Sequence, residues 1–438
     1  MKAFTGSQFA AAALVLMCAV QGATAGSGGS TYSLLGLGDI RYVPGARSEG
    51  MGYAGLALFS PQYIDGMAPA TWSRIDRVRL EGSAFYEGFN STDGTTSRYL
   101  ARMDFHGILF AVPVSRASGI VVVTGFTPFS EVNYDTYTSS VVPSLNVDPV
   151  TGQRDSLGYQ IHQVGTGGLT RGQLGLSWAP SEDISIGASF NYLFGTINHV
   201  AAQIPLDPLA SGGTFTFRSS LSGLNFTTGV VLTGFERITE ALRPLSLGFT
   251  VTTRTNLHTS METTFEFAPP PEKSIVVRDT GAATVGRIAV PFSYGVGLGY
   301  QPGNRWSLAA DFSAQPWAAS DFNGSTPYGI RNSYRFGIGA EHGGSTEVTA
   351  KTFERYSYRF GFAYAATYYD VNGQQINEWG ITGGLGIPLA GESRLNVAAV
   401  YGGRGTTAGS LVKDKIFRLT VSLHISDVLP WFVQAEEE

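Results

Sequence analysis

The 438-residue chain has only 14% charged residues, with 12% aromatics and 56 glycines. That composition is poor in helix formers and rich in strand and turn formers, which argues against long amphipathic helices. A net charge of −5 and a pI near 5.7 argue against a nucleic-acid partner. Lysine occurs only at positions 2, 273, 351, 413 and 415, so the positive charge is nearly all arginine, whose planar fork suits a network inside a closed lumen.

The first residues read as an export signal. Met1-Lys2 gives a positive end, Phe9 to Val20 an apolar stretch, and Ala23-Thr24-Ala25 a small-residue cleavage site before Gly26. The sole cysteine, Cys18, lies in that stretch behind Met17, which is not the small residue a lipoprotein signal needs. The mature chain therefore carries neither thiol nor disulfide. After residue 25 no run of about 18 apolar residues occurs. A membrane-spanning form would have to be a closed barrel, since lipid satisfies no open sheet edge.

Residues 26–75 do not alternate and mix glycines with apolar residues, too apolar for a solvated tail; they are expected to fold into the lumen as a hatch or plug. From there to residue 426 strict two-residue alternation repeats. Phe417, Leu419, Val421, Leu423 and Ile425 face one way, against Arg418, Thr420, Ser422, His424 and Ser426. The apolar faces end in aromatics such as Tyr358 and Tyr368 or Tyr192 and Phe194, as the interfacial girdles of a membrane barrel require.

Strands are predicted at 76–89, 98–113, 118–131, 166–179, 183–199, 214–234, 245–267, 289–301, 305–317, 332–342, 356–370, 375–389, 393–405 and 412–426. The fold class is all-β: a transmembrane antiparallel barrel of about fourteen strands with an N-terminal lumenal plug. With both ends periplasmic, the connections 132–165, 200–213, 268–288 and 318–331 lie outside and are long. The inner turns 235–244 and 343–355 are longer than usual, and residues 427–438 form a periplasmic tail with an acidic end.

The blocks Ala46-Arg47-Ser48-Glu49-Gly50-Met51-Gly52-Tyr53-Ala54-Gly55, Gly125-Phe126-Thr127-Pro128-Phe129-Ser130, Ser293-Tyr294-Gly295-Val296-Gly297-Leu298 and Tyr401-Gly402-Gly403-Arg404-Gly405-Thr406-Thr407 occur in order along the mature chain. Together they resemble the FadL/TodX family of outer-membrane transporters for hydrophobic compounds. The resemblance implies a fourteen-stranded barrel closed by a hatch, and passive passage of fatty-acid or aromatic-hydrocarbon ligands. In such proteins the ligand leaves sideways at a kinked third strand. The hatch motif Asn-Pro-Ala would fall on Ala68, Pro69 and Ala70, where the asparagine is replaced and its hydrogen bonds are lost. A second implication is a PorV-like scaffold that holds secreted proteins.

No constellation for catalysis or metal binding stands out among the six scattered histidines, so neither an enzyme nor a cofactor is expected. Gly295, Gly297 and Gly299 sit at strand spacing and read as close packing or a narrow lumen wall, not a nucleotide loop. Arg79, Glu81, Arg102, Asp104, Arg171, Asp311, Arg335, Glu341, Arg359 and Arg418 fall on the polar parity. They form either a salt-bridge network bracing strands and plug or a path on which an amphiphile's carboxylate borrows an arginine. Gly125 and Pro128 interrupt the third strand, as a rim and bulge or as a functional kink. The expected partners are a hydrophobic small molecule, outer-membrane lipid and, during biogenesis, the barrel-assembly machinery.

Overall fold

The computed structural model describes residues 28–426 apart from 43–44, 148–153, 208–209, 269–274, 326–327 and 348. The signal segment and the acidic tail lie outside these residues. Alternating sequence becomes strand: β1 (Arg79–Thr92), β2 (Ser97–Ser115), β3 (Ile120–Val147), β4 (Arg154–Ser181), β5 (Ile184–Pro205) and β6 (Gly212–Leu232). Two interrupted strands follow, β7 (Leu245–Thr252, then Thr255–Ala268) and β8 (Ile275–Val290, then Ser293–Tyr300). The set ends with β9 (Trp306–Gln315), β10 (Ser333–His342), β11 (Ser357–Val371), β12 (Gln374–Pro388), β13 (Arg394–Gly405) and β14 (Lys413–Ser426). Each pairs antiparallel with its neighbours, and β14 returns to β1 from Ser426↔Arg79 to Lys413↔Thr92, which closes a fourteen-stranded barrel.

The parity of every strand decides which face is which. On β14, Phe417 and Leu419 are exposed while Arg418, Thr420 and Ser422 are buried. Leu174, Leu176 and Trp178 of β4, and Phe336 and Ile338 of β10, also point outward. A sheet with an apolar outer face and a polar inner one belongs in lipid.

The described residues of 28–75 lie against the inward faces. A short helix α1 (Ala46–Gly50) is anchored where the Ala46 amide donates to Ser422 Oγ at 2.7 Å and Thr382 Oγ1 donates to the Gly50 carbonyl at 3.0 Å. Beyond it the backbone runs along inward glycines: an added Cβ at Gly339 would stand 2.3 Å from the Met51 carbonyl oxygen, and one at Gly361 2.3 Å from the Gly52 amide. Gly297 and Gly299 leave room for Leu56, Ala57 and Leu58 in the same way, as a narrow lumen wall requires.

Both ends of the lumen are packed. At the outer end Tyr32 and Leu37 join Trp317, Tyr368, Tyr369, Leu193 and Ile330 in one buried apolar cluster. At the inner end Ile64, Trp72 and Ile75 pack on Leu109, Ala111, Val121 and Val123.

One expectation is corrected here. The described residues of 132–165, 200–213 and 268–288 are largely strand instead of loop: β3 to β8 continue as paired strands far beyond the outward apolar band. The described residues of 318–331 form a connection, as expected, with the end of a 3-10 turn (Trp317–Ala319) and the two-residue strand Asp321–Phe322.

Candidate functional site: the lumenal charge network and the parted strands

β2 and β3 are joined only from Ser115↔Ile120 to Ile108↔Phe126. Above that pair each strand keeps its other neighbour, so the wall opens between them. A cleft of about 420 Å³ lies there, lined by Phe85, Asp104, Phe105, Phe126, Pro128, Glu131 and residues 166–170 of β4. Pro128 stands at the irregularity between Pro128 and Ser130 in the β3–β4 register, where a residue with no N–H to donate fits a broken ladder. The edge of β3 freed by β2 is taken up from inside. The two-residue strand Asp39–Ile40 pairs with Glu131 and Ser130, and the Arg41 amide donates to the Phe129 carbonyl at 2.9 Å.

Glu87 on β1, almost fully buried, is the hub of the charges beside the cleft. It accepts from Arg102 Nε at 3.0 Å, Arg418 Nε at 2.9 Å and Arg41 Nη2 at 3.3 Å. Arg41 and Arg102 also reach Glu131 on β3, and Arg418 reaches Glu49 of α1 at 3.3 Å and donates to the Tyr53 hydroxyl at 2.6 Å. Three arginines thus face three glutamates, the balance that lets charge sit out of water. Two further groups tie strands to the lumenal segment. Glu341 pairs with Arg359 at 2.7 Å and Arg47 at 2.7 Å, while Arg404 bonds Asp39 at 2.8 Å and Glu378 at 2.6 Å.

The expected network therefore divides. Arg102, Arg418, Arg359 and Glu341 are braces. Glu81 lies 3.4 Å from His424, and Arg79 pairs at the inner rim with Asp76 and Glu392 instead of inside the lumen. Asp104 departs from the brace reading: it is exposed, accepts from the Phe105 amide at 2.6 Å and lines the cleft. Asp311 Oδ2 accepts the Gly55 and Leu56 amides at 2.7 and 2.9 Å.

Arg171 and Arg335 are different again, because no carboxylate lies within ion-pair distance of either among the described residues. Arg171 donates to Thr127 Oγ1 at 3.1 Å and to the Met67 sulfur at 3.0 Å. Arg335 is stacked between the rings of Tyr42 and Tyr53, 4.8 and 4.3 Å from their centroids, with Nη2 buried and unpaired. Both line one lumenal cavity of about 120 Å³.

The hatch residues Ala68, Pro69 and Ala70 are not in an open path. An added Cβ at Gly187 would stand 2.3 Å from the Pro69 carbonyl carbon, and Ser185 Oγ donates to the Ala70 carbonyl. Gly125 is also displaced from the expected kink. It lies in the paired ladder opposite Leu109, below the cleft, where an added Cβ would stand 2.1 Å from the Ile108 carbonyl oxygen. Glu87, Glu131 and Arg404 were missed by sequence reasoning, although Glu87 shares the parity of Arg79 and Glu81 and was open to the same argument.

The architecture defines a closed fourteen-stranded β-barrel of the membrane-spanning type, apolar outside and polar inside. A family model described as BamG matches residues 7–436, and the chain belongs to the BamG family. Among solved structures it is similar to the toluene transporter TbuX of Ralstonia pickettii, with 16% identity, 87% of this chain and 98% of that one covered, and a TM-score of 0.54. It is likewise similar to the monoaromatic hydrocarbon channel CymD, at 13% identity with 87% and 97% covered and a TM-score of 0.54. A Pseudomonas aeruginosa FadL homologue gives 13% identity, 88% and 98% covered, and a TM-score of 0.54. No curated protein sequence matches the chain.

Proposed function

We propose that the protein is an outer-membrane transporter that passes hydrophobic or amphiphilic small molecules down their own gradient, with the parting of β2 and β3 as the route through the wall. The observation that carries this reading is the pairing of an aromatic-lined cleft in the wall with a lumen packed at both ends. Residues 28–75 act as the plug, so a molecule moves sideways and not straight through. The similar channels TbuX and CymD are described as toluene and monoaromatic hydrocarbon proteins, which supports an apolar cargo. Burial of such cargo is favourable at about 25 cal/mol per Å² of apolar surface.

For an amphiphile, Arg171 and Arg335 are the arginines of the expected network with a fork to lend, since Arg79, Arg102, Arg359 and Arg418 are already paired with carboxylates. Export by a signal cleaved before Gly26, and insertion with help from the barrel-assembly machinery, belong to the same reading. Placing a cysteine at Pro128 and labelling it with a bulky maleimide tests the route. Uptake of radiolabelled palmitate by cells carrying the labelled protein should fall to the vector-only level; unchanged uptake at equal surface abundance overturns the route.

A scaffold is the second reading, favoured by the upper parts of β3 to β8, which stand beyond the apolar band and bear exposed Tyr137, Phe215 and Phe267. Shortening the β3–β4 hairpin above Asp135 and Val164 separates the two. A transporter keeps palmitate uptake, whereas a scaffold loses its bound protein and has no uptake to lose.

A further inference from the structure

The opening between β2 and β3 is bounded at both ends. Its sill is the last backbone pair, Ile108↔Phe126. Five residues higher on β3 and six on β2, Arg102 reaches across to Glu131, and four residues beyond that Arg98 reaches Asp135 at 3.5 Å. The two strands that exchange no backbone bonds here are thus rejoined by two side-chain ion pairs at matched spacing. Between sill and bar, β2 contributes residues 103–107, roughly 16 Å of strand at about 3.3 Å per residue.

The bar is fixed from two sides. Arg102 is also held by Glu87 of β1, and Glu131 by Arg41 of the lumenal segment, whose Asp39–Ile40 strand pairs directly with Glu131 and Ser130. The lower ion pair is largely buried and the upper one faces water, so the first is the firm member and the second is screened by salt.

We infer that Glu131 and Arg102, with Asp135 and Arg98 above them, set the size limit of the lateral route: they turn a slit running to the outer rim into a window of fixed height. This rests on the transport reading above. Slim chain-like or single-ring molecules pass below the bar, and rigid multi-ring molecules do not. Glu131 is the position at which the bar opens with least damage, because its loss leaves both Arg102 and Arg41 still bonded to Glu87.

The test compares uptake of radiolabelled palmitate with that of radiolabelled cholesterol, a rigid four-ring probe, in cells carrying the full chain at equal surface abundance. In Glu131→Gln/Asp135→Asn, the ratio of cholesterol to palmitate uptake, each above the vector-only control, should rise severalfold over the parent. Because the mature chain has no cysteine of its own, an Arg98→Cys/Asp135→Cys pair can be bridged by a short bis-maleimide. In the Glu131→Gln background, bridging should restore exclusion of cholesterol. This second protein carries the test if the first fails to assemble.

Cholesterol uptake that stays at control level in both open forms, with palmitate still blocked by the label at position 128, overturns the size limit and leaves the route standing. Palmitate uptake indifferent to the label at position 128 overturns the route, and the size limit with it. Equal gains for both probes would mean general leakage through a loosened wall and would also overturn the size limit.

Discussion

The barrel has a regular half and an irregular half. From β9 to β14 the strands have matched lengths of 10 to 15 residues, and their ladders run with one irregularity, between Ala366 and Asp370. From β2 to β8 the strands reach 28 residues, two are interrupted, and the register slips near Pro113, Pro128 and Trp178. The regular half seats Met51 and Gly52 of the lumenal segment against its inward Gly339 and Gly361, while the irregular half carries the cleft. A closed sheet leaves no backbone group unpaired in lipid, so an opening must be compensated locally. Here the lumenal strand Asp39–Ile40 and the ion pairs of Glu131 supply that compensation.

The largest expected effect tests the holding half. Gly339→Val places a side chain where the Met51 carbonyl lies, and Gly361→Val where the Gly52 amide lies. The double variant should close its barrel, because the outward faces are untouched, yet expel the segment. Conductance in planar bilayers should rise severalfold, and protease should cleave between residues 46 and 58 in the folded barrel. A silent, protected barrel would mean that the segment is not held by these glycines.

Next in size is the hub. Glu87→Gln removes one charge facing Arg41, Arg102 and Arg418, and breaking a buried pair from one side costs about 3–5 kcal/mol. The midpoint of the heat-modifiable gel shift should drop sharply. Glu392→Gln, which removes a half-exposed partner of Arg79 at the inner rim, should move it little. The ladder below the cleft and the cleft itself separate in the same way. Gly125→Val should impair assembly, because its side chain meets the Ile108 carbonyl, whereas Pro128→Thr should assemble and slow palmitate uptake by restoring a backbone donor.

The same two halves explain what could be read from the sequence. Alternation is legible only where one face meets lipid and the other does not, as on β14, expected at 412–426 and found at Lys413–Ser426. Above the apolar band both faces of β3 to β6 meet water or core. Runs such as Thr136-Tyr137-Thr138-Ser139-Ser140 lose the apolar period and read as loop, although they are strand. Pro128 was legible as an interruption because proline lacks a donor. Gly125 was misplaced because a glycine in a strand signals close approach as readily as a bend, and sequence does not say which. The split of the charges into braces and the pair Arg171 and Arg335 depends on which strands are neighbours, information that parity alone does not contain.

The smallest expected effect tests how the irregular half is tied to the regular one at the outer end. Asp39 accepts from Arg404 of β13 at 2.8 Å and from the Tyr369 hydroxyl of β11 at 2.8 Å, while its own backbone pairs with β3. Desolvation alone would raise its pKa, but Arg404 and then Arg41 outweigh it and hold the carboxyl below the ordinary range. A carboxyl lowered on folding contributes stability that is present above its unfolded value of about 3.9 and is lost as the pH falls through the lower folded value. Hydrogen exchange at residues 31–40 should therefore be slow at neutral pH and accelerate on strong acidification in the parent. In Asp39→Asn it should already be faster at neutral pH and should lose the acid step, since the carboxylate that Arg404 and Arg41 hold low is gone. The ladders of β9 to β14 should exchange alike in both proteins. Should the acid step persist in Asp39→Asn, the tie at the outer end belongs to another carboxylate; Asp414, which accepts from Ser30 at 2.7 Å and Ser91 at 2.6 Å, does not supply it, because burial raises its pKa.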